Sequence, residues 1–167
     1  GTAVPGTLSE FALGEGKTWN LDGGLSIAEG VTFTKQGTLN ATALDASDLL
    51  ALASVHADKI ALVEGTYELP SQLTITKPMV LNGAGMDKTV IKAGTADWAH
   101  TYNADLNMIA IENATGITPA EGGEVVISNL TASNAKRNGL NVQTSMAVKL
   151  DFVTLKDNTA AGLVVHS

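Results

Sequence analysis

Residues 125 to 144 (VVISNLTASNAKRNGLNVQT) lie without a gap over residues 148 to 167 (VKLDFVTLKDNTAAGLVVHS), an offset of 23 residues. Val125 falls on Val148, Ile127 on Leu150, Leu130 on Val153, Thr131 on Thr154, Ala132 on Leu155, Asn134 on Asp157, Gly139 on Gly162, Leu140 on Leu163, Val142 on Val165 and Thr144 on Ser167. Apolar and polar residues alternate in short runs within each copy, the period of a half-buried strand, and Asn, Asp and Gly interrupt them where the backbone must turn. One copy alone cannot bury its inward side chains. Stacked at the ~4.8 Å spacing of neighbouring strands, the copies align Ile127 with Leu150 and Leu140 with Leu163 in apolar columns. The expected architecture is therefore a solenoid whose coils are about 23 residues long.

The same grammar runs upstream. Lys59–Val63, Gln72–Thr76, Met79–Leu81, Thr89–Lys92 and Met108–Glu112 are short, rich in β-branched residues and separated by Gly, Pro or Asn, so they read as strands of earlier coils. One helix is expected, over Ala46 to His56. Asp45 is placed to cap it, with Asp48 three residues on, and Leu49, Leu50, Leu52 and Val55 form an apolar face. Such a helix would cover the unpaired strand edge of the first coil. Residues 1–44 form a second organisational unit ahead of 45–167. Thr18–Leu21, Leu25–Ile27 and Val31–Phe33 alternate between glycines and predict a β-rich segment, either an extra coil or a cap.

The 167 residues are 44% hydrophobic, enough for one domain with a continuous core, and only 16% charged. Ten Lys and Arg stand against seventeen Asp and Glu, a net charge of −7, with no basic cluster interleaved with aromatics. That balance argues against a nucleic-acid groove and against an anionic membrane surface. No run approaches the ~20 apolar residues of a membrane span. Cysteine is absent, which excludes disulfides and thiolate metal sites.

The stretch Ala46 to Gly94 resembles the opening of right-handed parallel β-helix proteins of the pectate-lyase-like superfamily. It has a short capping helix, a strand, a turn at Gly65-Thr66-Tyr67, and strands ending in Leu81-Asn82-Gly83-Ala84-Gly85. Ile127-Ser128-Asn129-Leu130-Thr131 and its repeat are similar to later coils of that superfamily. The resemblance implies an all-β, right-handed parallel β-helix with an N-terminal capping helix. It also implies that this chain is the N-terminal portion of a larger member, lacking the C-terminal end. The superfamily includes polysaccharide lyases, hydrolases, tailspikes and adhesins, so the resemblance implies contact with carbohydrate more than it implies a reaction.

Chemistry is harder to find. A lyase of the pectate-lyase kind needs calcium and a base, and the single arginine, Arg137, lies beside Lys136 in the turn Asn134–Asn138. Stacking would bring Lys149 and Lys156 to the same place, a basic patch able to hold a carboxylate or sulfate. Arg137 and Lys136 are the only catalytic candidates, set against plain solvation of an exposed turn. Asp87, Asp105, Glu112, Glu121, Glu124, Asp151 and Asp157 are scattered, whereas calcium wants six or more oxygens from a compact set. No metal or other cofactor is expected on this reading. Asn134 and Asp157 are read instead as a polar ladder at one bend. His56 is read as closing the helix, where a cation complements its dipole, and His56, His100 and His166 have no metal-ligand spacing. Trp98, His100 and Tyr102 fall in the long insertion Thr95–Asn107 and are the candidate ligand-contacting residues, because sugars stack on aromatic rings held on loops.

The leading expectation is a secreted or cell-surface β-helix, bacterial in origin, that binds polysaccharide or a surface glycan without catalysis. The alternative is a lyase or hydrolase acting on an acidic polysaccharide. A third reading, an ice or crystal binder, rests on threonine ranks such as Thr74, Thr76 and Thr131 over Thr154. The last coil, ending at Ser167, is expected to leave an open edge for self-association or for continuation of the chain.

Overall fold

The computed structural model describes residues 2–4, 8–98, 106–113 and 123–166. In chain order the elements are β1 (Thr2–Val4), β2 (Glu10–Leu13), β3 (Thr18–Leu21), β4 (Leu25–Ile27), β5 (Thr32–Lys35), β6 (Thr38–Ala43) and α1 (Ala46–Ser54). There follow β7 (Lys59–Leu62), β8 (Gly65–Leu69), β9 (Leu73–Ile75), β10 (Met79–Asn82), β11 (Thr89–Ala93) and β12 (Ile109–Glu112). The last are β13 (Glu124–Ser133), β14 (Leu140–Gln143), β15 (Ala147–Lys156) and β16 (Leu163–Val165).

Every pairing among these strands is parallel. The largest sheet has eight strands and bends along its length. One limb runs β3-β6-β7-β10 and then meets β13. The front of β13 pairs with β10, from Val125 beside Met79 to Ser128 beside Asn82, and its back pairs with β11, from Thr131 beside Val90 to Ser133 beside Lys92. The corner between them is Asn129, whose φ of 58° is left-handed. Asn129 is suited to that backbone, since Asn is among the few residues that tolerate it. Its Nδ2 also donates to Asn82 Oδ1 at 2.7 Å. A four-stranded sheet, β9-β12-β14-β16, forms another wall.

The repeat at 23 residues is realised in register through the described residues, with Ser167 lying outside them. β13 and β15 pair Val125 with Val148, Ile127 with Leu150, Leu130 with Val153 and Ala132 with Leu155, while β14 and β16 pair Leu140 with Leu163 and Val142 with Val165. Asn134 and Asp157 both adopt left-handed φ, 57° and 54°. The side-chain ladder expected there sits at other positions: Asn138 Nδ2 donates to the buried Asn107 Oδ1 at 2.9 Å, and Asn129 donates to Asn82.

The core is the set of inward residues of stacked strands. Leu39, Ile60, Leu81 and Ile127 come from the long sheet, Tyr67, Ile91 and Ala132 from its far limb, and Leu73, Ile109 and Leu140 from the third wall. Gly65-Thr66-Tyr67, expected as a turn, opens strand β8 instead. Gly65 takes φ 149°, and Tyr67 then points inward and is buried. The hydrophobic demand of the ring outweighs the local turn signal.

Helix α1 is capped as expected: Asp45 accepts a hydrogen bond from Asp48 N at 2.9 Å. It ends at Ser54, two residues early, because His56 takes a left-handed φ of 55° and closes the last turn. Its place in the stack also differs from expectation. The edge of β7 is occupied by β6, from Asn40 beside Lys59 to Ala43 beside Leu62, so the helix covers no open edge there. Along the β3-β6-β7-β10 limb of the long sheet the chain makes two strands between successive visits, β4 and β5 between β3 and β6, and β8 and β9 between β7 and β10. Between β6 and β7 it makes α1. The helix packs on β4 and β6 before it and on β7, β8 and β9 after it, and buries Leu49, Leu52 and Ala53. It stands where two strands would, against the otherwise terminal strands β8 and β9. Residues 1–44 and 45–167 thus share one sheet across the boundary between them.

Candidate functional site

Trp98 does not display its ring. The side chain is 4% exposed, and its Nε1 donates to Leu69 O at 3.2 Å, the same carbonyl that accepts from Gly94 N. A large ring with one polar atom is stable when that atom finds a partner and the rest is dry, so Trp98 serves as packing beside β8. This corrects the expectation of a sugar-stacking tryptophan. His100 and Tyr102 lie outside the described residues.

Lys136 and Arg137 follow the left-handed Asn134. The turn is pinned by Ala135 N donating to Asn158 Oδ1 at 2.9 Å and by Ala160 N donating to Arg137 O at 2.8 Å. Arg137 is exposed and Lys136 half-buried. The larger basic patch does not assemble as expected: Lys149 lies beside Val126 in the long sheet, with its Nζ 2.8 Å from Glu124 Oε1. Among the described residues no group of three or more His, Asp or Glu side chains comes together in a way that could hold a metal ion. The threonine face is also corrected. Thr131 and Thr154 are in register, but Thr131 is buried because the segment after β10 folds over it and Met86 O accepts its hydroxyl at 2.6 Å.

The structure assembles two polar surfaces that sequence reasoning missed. The first is a groove of about 270 Å³ across β3, β6 and β7. Asn20 lies beside Asn40, and Asn40 beside Lys59, one strand apart in each step. Asn40 Nδ2 donates to Asn20 Oδ1 at 3.0 Å. Thr42 and Asp22 complete the polar lining, with Ala41, Ala61 and Leu21 between. The row then turns apolar at Val80 and Val126.

The second is a cleft of about 370 Å³ between β5, the end of α1 and the segment after β9, lined by Phe33, Thr34, Lys35, Ser54, Val55, His56 and Lys77. Lys35 Nζ is 2.9 Å from Asp58 Oδ2 and 3.2 Å from Gly37 O, and the same Asp58 oxygen accepts Leu39 N at 2.8 Å. Lys35 and Asp58 are 23 residues apart, the same offset as the repeat. The floor is ordered by aromatic contact: Phe33 stacks on Phe11 at 5.8 Å between ring centres, with Trp19 at 6.5 Å.

His56 is not the dipole-complementing cation expected of it. Burial, and then the positive charges of Lys77 and Lys35, lower its pKa below the ordinary 6.5. The folded state therefore binds this proton less readily than the unfolded chain does. Its contribution is fully favourable above pH 6.5 and is lost as pH falls through that value toward the lower folded pKa. In urea titrations between pH 7.5 and 5.5 (about one unit to either side of the ordinary histidine pKa), the native chain should lose more stability than His56→Asn, a substitution that tolerates the left-handed backbone. Equal losses in both proteins would contradict this assignment.

No family model, curated protein or solved structure matches the chain.

Proposed function

We propose that the stack is a right-handed parallel β-helix of the pectate-lyase-like type, secreted or displayed by a bacterium, and that it binds polysaccharide without catalysis along the β3-β6-β7 groove. Handedness follows from the general rule that parallel crossover connections are right-handed in about 98% of cases. The observation that carries the functional reading is the in-register row Asn20, Asn40 and Lys59. A polysaccharide presents hydroxyls at regular intervals. A row of amide and ammonium groups repeating at the ~4.8 Å strand spacing offers donors and acceptors along one line, on rigid strands that need no ordering on binding.

The test is affinity electrophoresis in gels containing pectate, alginate, chondroitin sulfate or a neutral glucan. Retardation by at least one polymer is expected. Asn40→Ala combined with Lys59→Ala should weaken it by about tenfold, the equivalent of ~1.4 kcal/mol. Undiminished retardation in the double variant would exclude the groove. Release of unsaturated uronate products, lost on Arg137→Ala, would replace the binding reading with a lyase.

A further inference from the structure

We propose that the cleft between β5 and the end of α1 binds an oxyanion, the carboxylate or sulfate group of an acidic sugar, through Lys77 and Lys35 with His56 beside them. The site lies apart from the groove residues and is built from three separate segments of the chain. On a molecule of net charge −7, three basic side chains around one cavity are an exception to the overall balance.

The donor inventory favours an anion. An ammonium group has three N–H donors. Lys35 uses two of them, on Asp58 Oδ2 and Gly37 O, and retains one. Lys77 is exposed and forms no ion pair among the described residues. His56 offers one ring N–H when neutral and two when protonated. The charged groups at the cleft are Lys35, Lys77, His56 and Asp58, and Asp58 is already engaged by Lys35 and Leu39 N. Its second contact leaves it poorly placed to neutralise Lys77 as well. Hydrogen bonds from ammonium to carboxylate or sulfate are about twice as strong as neutral ones. The volume falls within the ~300–1,000 Å³ typical of small-molecule sites. Phe33 supplies an apolar face for the sugar ring, locked in place by Phe11.

Burial first, and then the charges of Lys77 and Lys35, lower the His56 pKa, so both ammonium groups are felt at its ring as the geometry requires. An anion would offset that repulsion. Binding should therefore raise the His56 pKa and tighten as pH falls from 8 to about 6, near the ordinary histidine pKa.

The experiment is an NMR titration of the His56 ring resonances with sodium sulfate and, separately, with D-galacturonate, each at constant ionic strength against sodium chloride. Saturable shifts, an increase in the His56 pKa and at least tenfold weaker binding in Lys77→Ala are expected. Saturation by galacturonate alone would assign a carboxylate ligand, and saturation by sulfate alone a sulfate. Shifts matched by chloride, or an unchanged titration in Lys77→Ala, would overturn the proposal. Asn40→Ala with Lys59→Ala should leave the titration intact, so failure of the groove to bind polymer does not bear on the cleft.

Discussion

Tyr67→Ala is expected to lower the free energy of unfolding by about 3–5 kcal/mol, the range for removing a buried aromatic ring. Tyr67 is among the largest fully buried side chains, and its neighbour in register is the equally buried Ile91. Its hydroxyl lies 2.9 Å from Ala43 O and 3.0 Å from Val63 O, tying β8 to the end of β6 and to the turn before β8. Burial raises the phenol pKa above its ordinary 10, so the hydroxyl stays a donor throughout the range in which the protein would be handled. Truncation to alanine removes the ring, leaves a cavity that rigid strands cannot close, and leaves each carbonyl only a longer bond of 3.4 Å, from Val63 N to Ala43 O and from Thr89 Oγ1 to Val63 O. Tyr67→Phe keeps the ring and forfeits only the hydroxyl, for which about 1–3 kcal/mol is expected. Thermal melts read the difference directly: at ~2–4 °C per kcal/mol for a chain of this size, alanine should lower Tm by roughly 6–20 °C. Equal losses in the two variants would show that the hydroxyl, and not the ring, carries the effect.

Gly83→Ala is expected to cost about 1–3 kcal/mol by overpacking. A Cβ at this position would stand 2.2 Å from Asn129 O and 3.0 Å from the Cβ atoms of Leu130 and Thr89. None of these is the tip of a flexible side chain. Asn129 O already accepts Gly85 N at 2.9 Å, and Gly83 N donates to Ser128 O at 2.9 Å, so a carbonyl pushed aside loosens the corner of β13 and the segment that crosses it. Gly85→Ala serves as a comparison with another cause. Its φ of 151° strains any other residue, while its nearest steric neighbour is the movable Asp87 carboxylate at 3.1 Å. Urea midpoints of the two variants separate close approach from backbone strain. A Gly83→Ala protein as stable as the parent would mean that the β13 corner yields easily.

The register of the last two layers was legible because a repeat at constant offset specifies which residue stands on which, and β-pairing has no freedom once every inward position is apolar. The strands of β7, β9, β10, β11 and β12 were legible for the same local reason. What escaped were facts about distant segments. The pairing of β6 with β7 spans a helix, and nothing in Asp45–Ala57 announces that the strands flanking it are neighbours. Trp98 sits among polar residues that suggest a displayed loop. Its burial depends on the chain doubling back to the carbonyl of Leu69, which no nearby residue signals. The cleft was invisible for a similar reason: Lys35, His56 and Lys77 belong to three segments, each unremarkable alone. One clue was present, since Lys35 and Asp58 are opposite charges at the offset of the repeat. The groove had a weaker one in the asparagines at 20 and 40.

Exposure along the stacked rows has a direction. Leu73, Ile109 and Leu140 are each 1% exposed, whereas the next residue in that row, Leu163, is 46% exposed. Phe152 and Val165 in the same outer layer are 65% and 66% exposed. Phe152 also holds a left-handed φ of 51° in the position that Asn129 occupies one layer further in, a backbone that a bulky ring disfavours. Each layer is therefore secured by the layers stacked against it. A strand zipped to a neighbour on both sides, such as β14 between β12 and β16, is held by two ladders, so its amide protons should exchange more slowly than those of a strand held by one.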